Sequence, residues 1–310
     1  MPEQRIALWR TGSLALALAT TTALVGTTGL ARADVLVIAN QAAFGGGLIE
    51  TVDATTGTFV NSFVPDGAKL GTNNGRGVEV LGNFVYYTEL TNGFGPTDFI
   101  RVANFNNGAG SGDIFQYPNP VPGTGVVDLA AAGGLVYAMT GYPAGPEVVQ
   151  ATNGSGVNVG PTVTLTTLTG ANLTDSDGFT VLGNGNWLIN DGDAVNSYNQ
   201  YNPTTGAEIA GTTVQAHNAS GVCGSSTGVD NDAFLGGTSL YFDCNLNSIV
   251  QDTLSGVFIS ETPLTAGNFE DISLVQASPI VPPAPEPASL SILGAALVGF
   301  GVARRRKRST

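Results

Sequence analysis

The sequence predicts an all-β fold, a β-propeller of five blades with four antiparallel strands each, and three observations carry that reading. Polar turns ending in glycine recur about every fifty residues, a second turn motif runs in phase with them, and the two ends of the repeat region look like complementary parts of one unit.

The first marker is Asp53-Ala54-Thr55-Thr56-Gly57, matched by Asn153-Gly154-Ser155-Gly156, Asn202-Pro203-Thr204-Thr205-Gly206 and Asp252-Thr253-Leu254-Ser255-Gly256, with Asn106-Asn107-Gly108 as a looser copy. Each glycine supplies the positive φ of a tight hairpin turn. The second marker is Leu81-Gly82-Asn83-Phe84, which returns as Ala132-Gly133-Gly134-Leu135, Leu182-Gly183-Asn184-Gly185 and Leu235-Gly236-Gly237-Thr238. It reads as a strand, a Gly-Asn type turn and a second strand of aromatic and β-branched residues. No stretch of the body has a helical period of 3.6.

Val35 to Asn40 begins where a second strand would, without an inner strand before it, and Glu270 to Val275 supplies that missing inner strand. Pairing the two ends closes the ring and removes its open edges. A β-helix or a β-sandwich competes, but the unit is too long for β-helix coils and too regular for a sandwich. The repeats resemble the diffuse YVTN or NHL-like propeller class, in architecture only.

Both termini read as export signals with a hydrophobic helix. Arg5 and Arg10 precede an apolar stretch from Leu14 to Leu30, and Ala31-Arg32-Ala33 has the small-x-small form of a signal-peptidase site, so residues 1–33 are read as a signal peptide and Asp34 as the mature start. The propeller domain spans 34–277 and a Pro-rich extended linker 278–284. From 285 to 310 come Pro285-Glu286-Pro287, an apolar run from Ala288 to Ala303 and the cluster Arg304-Arg305-Arg306-Lys307-Arg308. Sixteen apolar residues are short for a permanent span, which takes about 20. The basic end stays on the cytoplasmic side by the positive-inside rule.

In order, spacing and position this tail resembles the PEP-CTERM sorting signal of exosortase systems. The resemblance implies a transmembrane precursor whose Pro-Glu-Pro box is recognised by an inner-membrane exosortase and cut nearby, after signal peptidase has removed the leader. It implies release to the cell surface or exterior and a role beside extracellular polysaccharide. The resemblance covers the tail and says nothing of the body.

Without the signals, the body retains Lys69, Arg76 and Arg101 against twenty-two acidic residues. Nucleic acid is excluded as a partner, because phosphate binding needs clustered Lys and Arg. Cys223 and Cys244, the two cysteines of the chain, are expected to form a disulfide in an oxidising compartment. With one histidine, they make no zinc set.

The candidate metal ligands are Asp175, Asp177, Asp230 and Asp232, from Asp-x-Asp pairs that Asp191 and Asp193 repeat, with Asn172, Asn190, Asn196 and Asn231 nearby. Carboxylates and amide oxygens on loops suit Ca²⁺, the one cofactor the pattern fits. Asp and Asn also favour turns through their own side-chain hydrogen bonds, so a purely structural role stays open. Asp175, Asp177, Asp230, Asp232, Glu270 and Asp271 fall just before or within expected inner strands, some at the mouth of the central channel.

Glu79, Asp128, Asp177 and Asp230 lie at comparable places in successive repeats and raise a second class, hydrolysis of polysaccharide by paired carboxylates. No catalytic residue is assigned: His217 is the single histidine, no Gly-x-Ser-x-Gly elbow accompanies it, and no phosphate-binding glycine string opens a helix. Trp187 is expected between blades, while Tyr86, Tyr87, Tyr137 and Tyr142 are either packing residues or sugar-stacking rings. The function expected is that of a non-enzymatic binding or structural module of the extracellular matrix or exopolysaccharide, with an extracellular polysaccharide-acting hydrolase as the alternative.

Overall fold

A computed structural model describes residues 34–39, 49–54, 56–63, 74–90, 99–106, 109–142, 145–190, 196–226, 228–231, 238–245, 247–264 and 269–275. The segment read as a signal peptide, with Ala31 and Ala33, the expected linker, and the tail with Pro285 to Arg306 lie outside them. Among the described residues no helix is long and apolar enough to cross a membrane.

The chain folds as an all-β propeller of antiparallel blades. β1 (Asp34–Ala39), β2 (Ile49–Asp53) and β3 (Phe59–Phe63) form a sheet whose inner strand is the last of the chain, β22 (Phe269–Val275). Asp34 pairs with Val275 and Val37 with Ile272, so the two ends of the body are hydrogen-bonded into one blade. The next blade runs β4 (Asn74–Leu81), β5 (Phe84–Leu90), β6 (Phe99–Asn106) and β7 (Ala109–Pro118), and the third β8 (Gly125–Ala132), β9 (Leu135–Tyr142), β10 (Val148–Asn153) and β11 (Asn158–Thr164). A fourth contains β12 (Phe179–Val181), β13 (Trp187–Asn190), β14 (Ser197–Tyr201) and β15 (Val214–Gln215). After a ribbon of β16 (His217–Asn218) and β17 (Gly221–Val222) comes a blade of β18 (Val229–Asn231), β19 (Ser239–Cys244), β20 (Ser248–Thr253) and β21 (Phe258–Pro263). Each inner strand lies beside the next, in the cycle β22, β4, β8, β12, β18 and back to β22.

This differs from five uniform blades, because the described residues hold six sheets, one of only two strands. The departure lies where the repeat is least regular, between β15 and β18. There Cys223 is bonded to Cys244 at the end of β19, and the His217 amide donates to Asp252 Oδ2 at 2.9 Å. Those ties hold the excursion against the neighbouring blade, and it folds into a ribbon of its own. The bridge spans 21 positions, and closing such a loop in the unfolded chain contributes about 3 kcal/mol.

Strand alternation builds the core. Trp187 and Ile189 of β13 face the third blade, packing with Val127, Met139 and Val149, while Leu188 between them faces the last blade with Leu240 and Phe242. Similar apolar clusters occupy the other seams, such as Ile272 and Leu274 with Tyr241 and Ile249, or Ile100 and Tyr117 with Leu129 and Val136. Fully burying such a side chain contributes roughly 1.5–3 kcal/mol, so the seams between blades are the core of the molecule. Trp187 meets Tyr137 across its seam edge to face at 6.2 Å.

The carboxylates of the central axis: a candidate functional site

At two of the seams the inner strands approach closely because one meets its neighbour at a glycine. A Cβ on Gly228 would sit 2.7 Å from Asp271 Cα, and one on Gly77 would sit 2.8 Å from the Leu129 nitrogen. That proximity lets acidic side chains reach across seams. Asp271 of β22 accepts from the Val78 amide of β4 at 2.8 Å and from its neighbour Ile272 at 2.8 Å. Asp128 of β8 accepts from Phe179 of β12 and from Leu129, at 2.5 and 2.6 Å. Asp230 of β18 accepts from Leu274 of β22 and Asn231, both at 2.7 Å, and from the Thr180 hydroxyl at 3.0 Å. Glu79 of β4 accepts from Val80 and from the Ser273 hydroxyl of β22, at 3.0 and 3.3 Å.

All four groups are buried, and burial is the first cause that pushes each carboxyl upward. Asp230 reaches about 6, with its amide and hydroxyl donors pulling the other way. Glu79 stands well above its ordinary value, the charges of Asp230 and Asp271 adding to burial. Asp128 and Asp271 also rise well above theirs, burial first, and at Asp271 the charge of Asp128 adds to it.

A second acidic group lies apart from the first. Asp175 is exposed, with φ +61° before β12, in the left-handed region that Asp tolerates better than most residues. Asp177 is half-buried, 3.6 Å from Arg76 Nη1. With them stands Glu147, whose Oε1 accepts from the Ser176 amide at 3.3 Å while Oε2 is buried without a partner. Burial pushes Glu147 up to about 8, and the nearby charges of Asp177 and Asp175 add to it.

Of the expected metal ligands, Asp175 and Asp177 are near enough to Glu147 to act on it electrostatically, Asp230 stands with Glu79 in the lining of one cavity, and Asp232, Asp191 and Asp193 lie outside the described residues. Among the described residues no three His, Cys, Asp or Glu side chains gather as a metal-binding group. Glu147 and Ser273 escaped sequence reasoning: neither belongs to a motif, and only packing across seams brings them to these groups. His217 Nδ1 stands 3.5 Å from Asp252 Oδ2. Tyr86 and Tyr87 are buried, and Tyr86 donates to the Gly154 carbonyl at 3.2 Å, so both act in packing; the Tyr142 side chain lies outside the described residues.

Glu147 makes a testable case. In the unfolded chain its carboxyl titrates near 4.5 and in the fold near 8. Its stabilising contribution is therefore complete below the lower value and is lost as pH rises through the upper one. Glu147→Gln, of the same shape and never ionised, is expected to exceed the natural protein by about 2 kcal/mol at pH ~7 and to match it at pH ~4. Urea midpoints at the two pH values measure this.

Two cavities bear on ligands. One of about 220 Å³ is lined by Glu79, Asp230, Asn231, Leu274 and the turn from Ala131 to Gly134. The other is a surface groove along the seam between the third and fourth blades, in two adjoining parts of about 290 and 580 Å³. Tyr137, Trp187, Leu135 and Pro203 line both parts.

The fold and its tail define an exported propeller. Residues 283–307 match the model of the PEP-CTERM protein-sorting motif. The chain therefore carries the sorting signal of an exosortase-processed protein, exported as a membrane-anchored precursor to the cell surface or exterior. No curated protein matches the chain. Among solved structures it is similar to a putative 6-phosphogluconolactonase from Bacteroides fragilis NCTC 9343, at 12% identity and a TM-score of 0.42 over 80% of this chain and 99% of that one. It is also similar to the WD40 β-propeller domain of Doa1, at 10% identity and a TM-score of 0.38 over 76% and 67%. Likenesses this distant carry no argument about activity.

Proposed function

We propose that the exported body is a five-bladed, non-enzymatic binding module of the extracellular matrix, with extracellular polysaccharide as its ligand. The observation that carries this reading is the groove between the third and fourth blades, with the half-buried ring of Tyr137, the edge of Trp187 and Pro203 as apolar surfaces. Pyranose rings stack their C–H faces on such surfaces, and the combined space suits a short oligosaccharide. The acidic body repels anionic polymers at long range, so neutral glycans are the favoured subclass. On this reading signal peptidase cuts after Ala33, exosortase recognises Pro285-Glu286-Pro287, and Arg304, Arg305 and Arg306 hold the tail at the cytoplasmic side of the inner membrane until cleavage.

A glycan array on the mature protein tests this: binding to a neutral polysaccharide is expected, weakened at least tenfold in Tyr137→Ala. Absence of binding across neutral glycans overturns the reading.

A second reading, polysaccharide hydrolysis, draws on Glu79 and Asp230, two upward-shifted carboxyls lining one cavity. Against it, about 220 Å³ is less than drug-sized ligand sites occupy, roughly 300–1,000 Å³, and a glycosidic bond brings a ring on either side. Release of reducing ends that is lost in Glu79→Gln would favour hydrolysis.

A further inference from the structure

We propose that the cavity at the axis is a cation site, in which Glu79, Asp230 and the side-chain oxygen of Asn231 bind a hard divalent cation of the calcium type.

The sharpest observation is Asn231. It is 5% exposed, and its Nδ2 donates to the Thr180 hydroxyl at 2.9 Å and to the Val181 carbonyl, both on β12. Those two bonds use the amide's donors and fix which way it faces. Oδ1 is left buried without a donor, in a residue that lines the cavity. Nearly all buried polar atoms have a partner, and an unsatisfied oxygen in a residue that lines a cavity leaves a place for a bound water or ion.

The other oxygens have room for the same ligand. Glu79 commits Oε1 to the Val80 amide and the Ser273 hydroxyl, which leaves Oε2 uncommitted. Asp230 Oδ1 is taken by Thr180 and Asn231, while Oδ2 accepts from Leu274 and retains acceptor capacity. No Lys, Arg or His lines the cavity, so two carboxylates meet there with no cationic side chain to offset them. Two carboxylates and an amide oxygen are oxygen ligands without nitrogen or sulfur, the preference of Ca²⁺, which completes its six to eight positions with carbonyls and water.

The Ala131–Gly134 turn forms one wall, and a Cβ built on Gly133 or Gly134 would meet nothing within 4 Å. The ligands come from β4 and β18, which flank β22 on either side. A bound cation would therefore join the two blades on either side of the one in which the ends of the chain close the ring. The proposed ligands Glu79, Asp230 and Asn231 line no part of the groove, which shares only the Ala131–Gly133 turn with this cavity, so the site stands whether or not the groove takes glycan.

The test uses the exported protein, stripped with EDTA and titrated with CaCl₂ and separately with MgCl₂, reading melting temperature and calcium bound per chain. One Ca²⁺ per chain with a rise in melting temperature is expected, and Mg²⁺ should give the smaller rise. Glu79→Gln keeps the shape and the Oε1 acceptor, so it should stay folded in EDTA yet bind calcium at least tenfold more weakly. Asp230→Asn should do the same. An unchanged melting temperature and no bound calcium would mean that Asn231 faces only water, and the proposal would fall. A calcium shift that persists in both variants would place the ion elsewhere and overturn it equally.

Discussion

Replacing Asp271 with alanine is expected to cost about 4 kcal/mol, which would make it the most damaging single change on the axis. The carboxylate accepts from Val78 across the seam to β4 and from Ile272 on its own strand, and it lies close enough to Asp128 for the two to interact electrostatically. Alanine fills none of these roles. Both amides would be left buried without an acceptor, and a small cavity would open beside Gly228. Asparagine separates these losses. It keeps one oxygen for an amide, so Asp271→Asn should cost roughly half as much. The pH response separates them further. Both acids are raised, so in the natural protein their stabilising contribution is complete below the ordinary carboxylate range and is lost as pH rises through the folded values. Because position 271 can no longer ionise, the asparagine variant should lose less stability on the alkaline side. Urea midpoints across pH measure both effects. An alanine variant within about 1 kcal/mol of the natural protein would show that the axis is not held by these carboxylates.

What the sequence makes legible here is whatever is local to a strand and its turns. Gly57, Gly156, Gly206 and Gly256 have positive φ at the turns where the repeat places them, and Gly82, Gly133 and Gly185 do so at the second marker. The missing inner strand is legible for the same reason, since phase along the chain is a property of the chain. Asp128 and Asp230 can be picked out as inner-strand acids, but not as acceptors for Phe179 and Leu274. Those bonds depend on the lateral fit of one blade against the next, and no spacing in the sequence encodes it. Glu147 is hidden still more thoroughly. It stands just before β10, the third strand of its blade, with no motif, and becomes an acidic neighbour of Asp175 and Asp177 only through the loop before β12. The ribbon at His217 is missed because a disulfide and one amide bond to Asp252 shape it, where the repeat template expects a plain connection.

The repeat glycines do more than turn the chain, and Gly206→Ala tests what else they do. A Cβ on Gly206 would collide with the Thr164 carbonyl of β11, on the outer strand of the preceding blade, and one on Gly57 would collide with the Pro263 carbonyl of β21. Gly156 meets Tyr117 of β7 in the same way, and Gly256 approaches Val214 of β15. Each glycine therefore seats a hairpin against the outer edge of the blade before it, far from the axis. At these positions the glycine thus serves the contact between blades as well as the turn. Gly206→Ala is expected to cost about 3 kcal/mol, of which the positive φ accounts for about 1 and the displaced Thr164 backbone for the rest. Gly185 provides the control. Its φ is +87° but a Cβ there would meet nothing within 4 Å, so Gly185→Ala should show only the conformational part, about 1 kcal/mol. Thermal or urea unfolding of the two variants side by side measures the difference. Equal losses would reduce the repeat glycine to a turn residue, while an excess at Gly206 assigns it to the rim contact between blades.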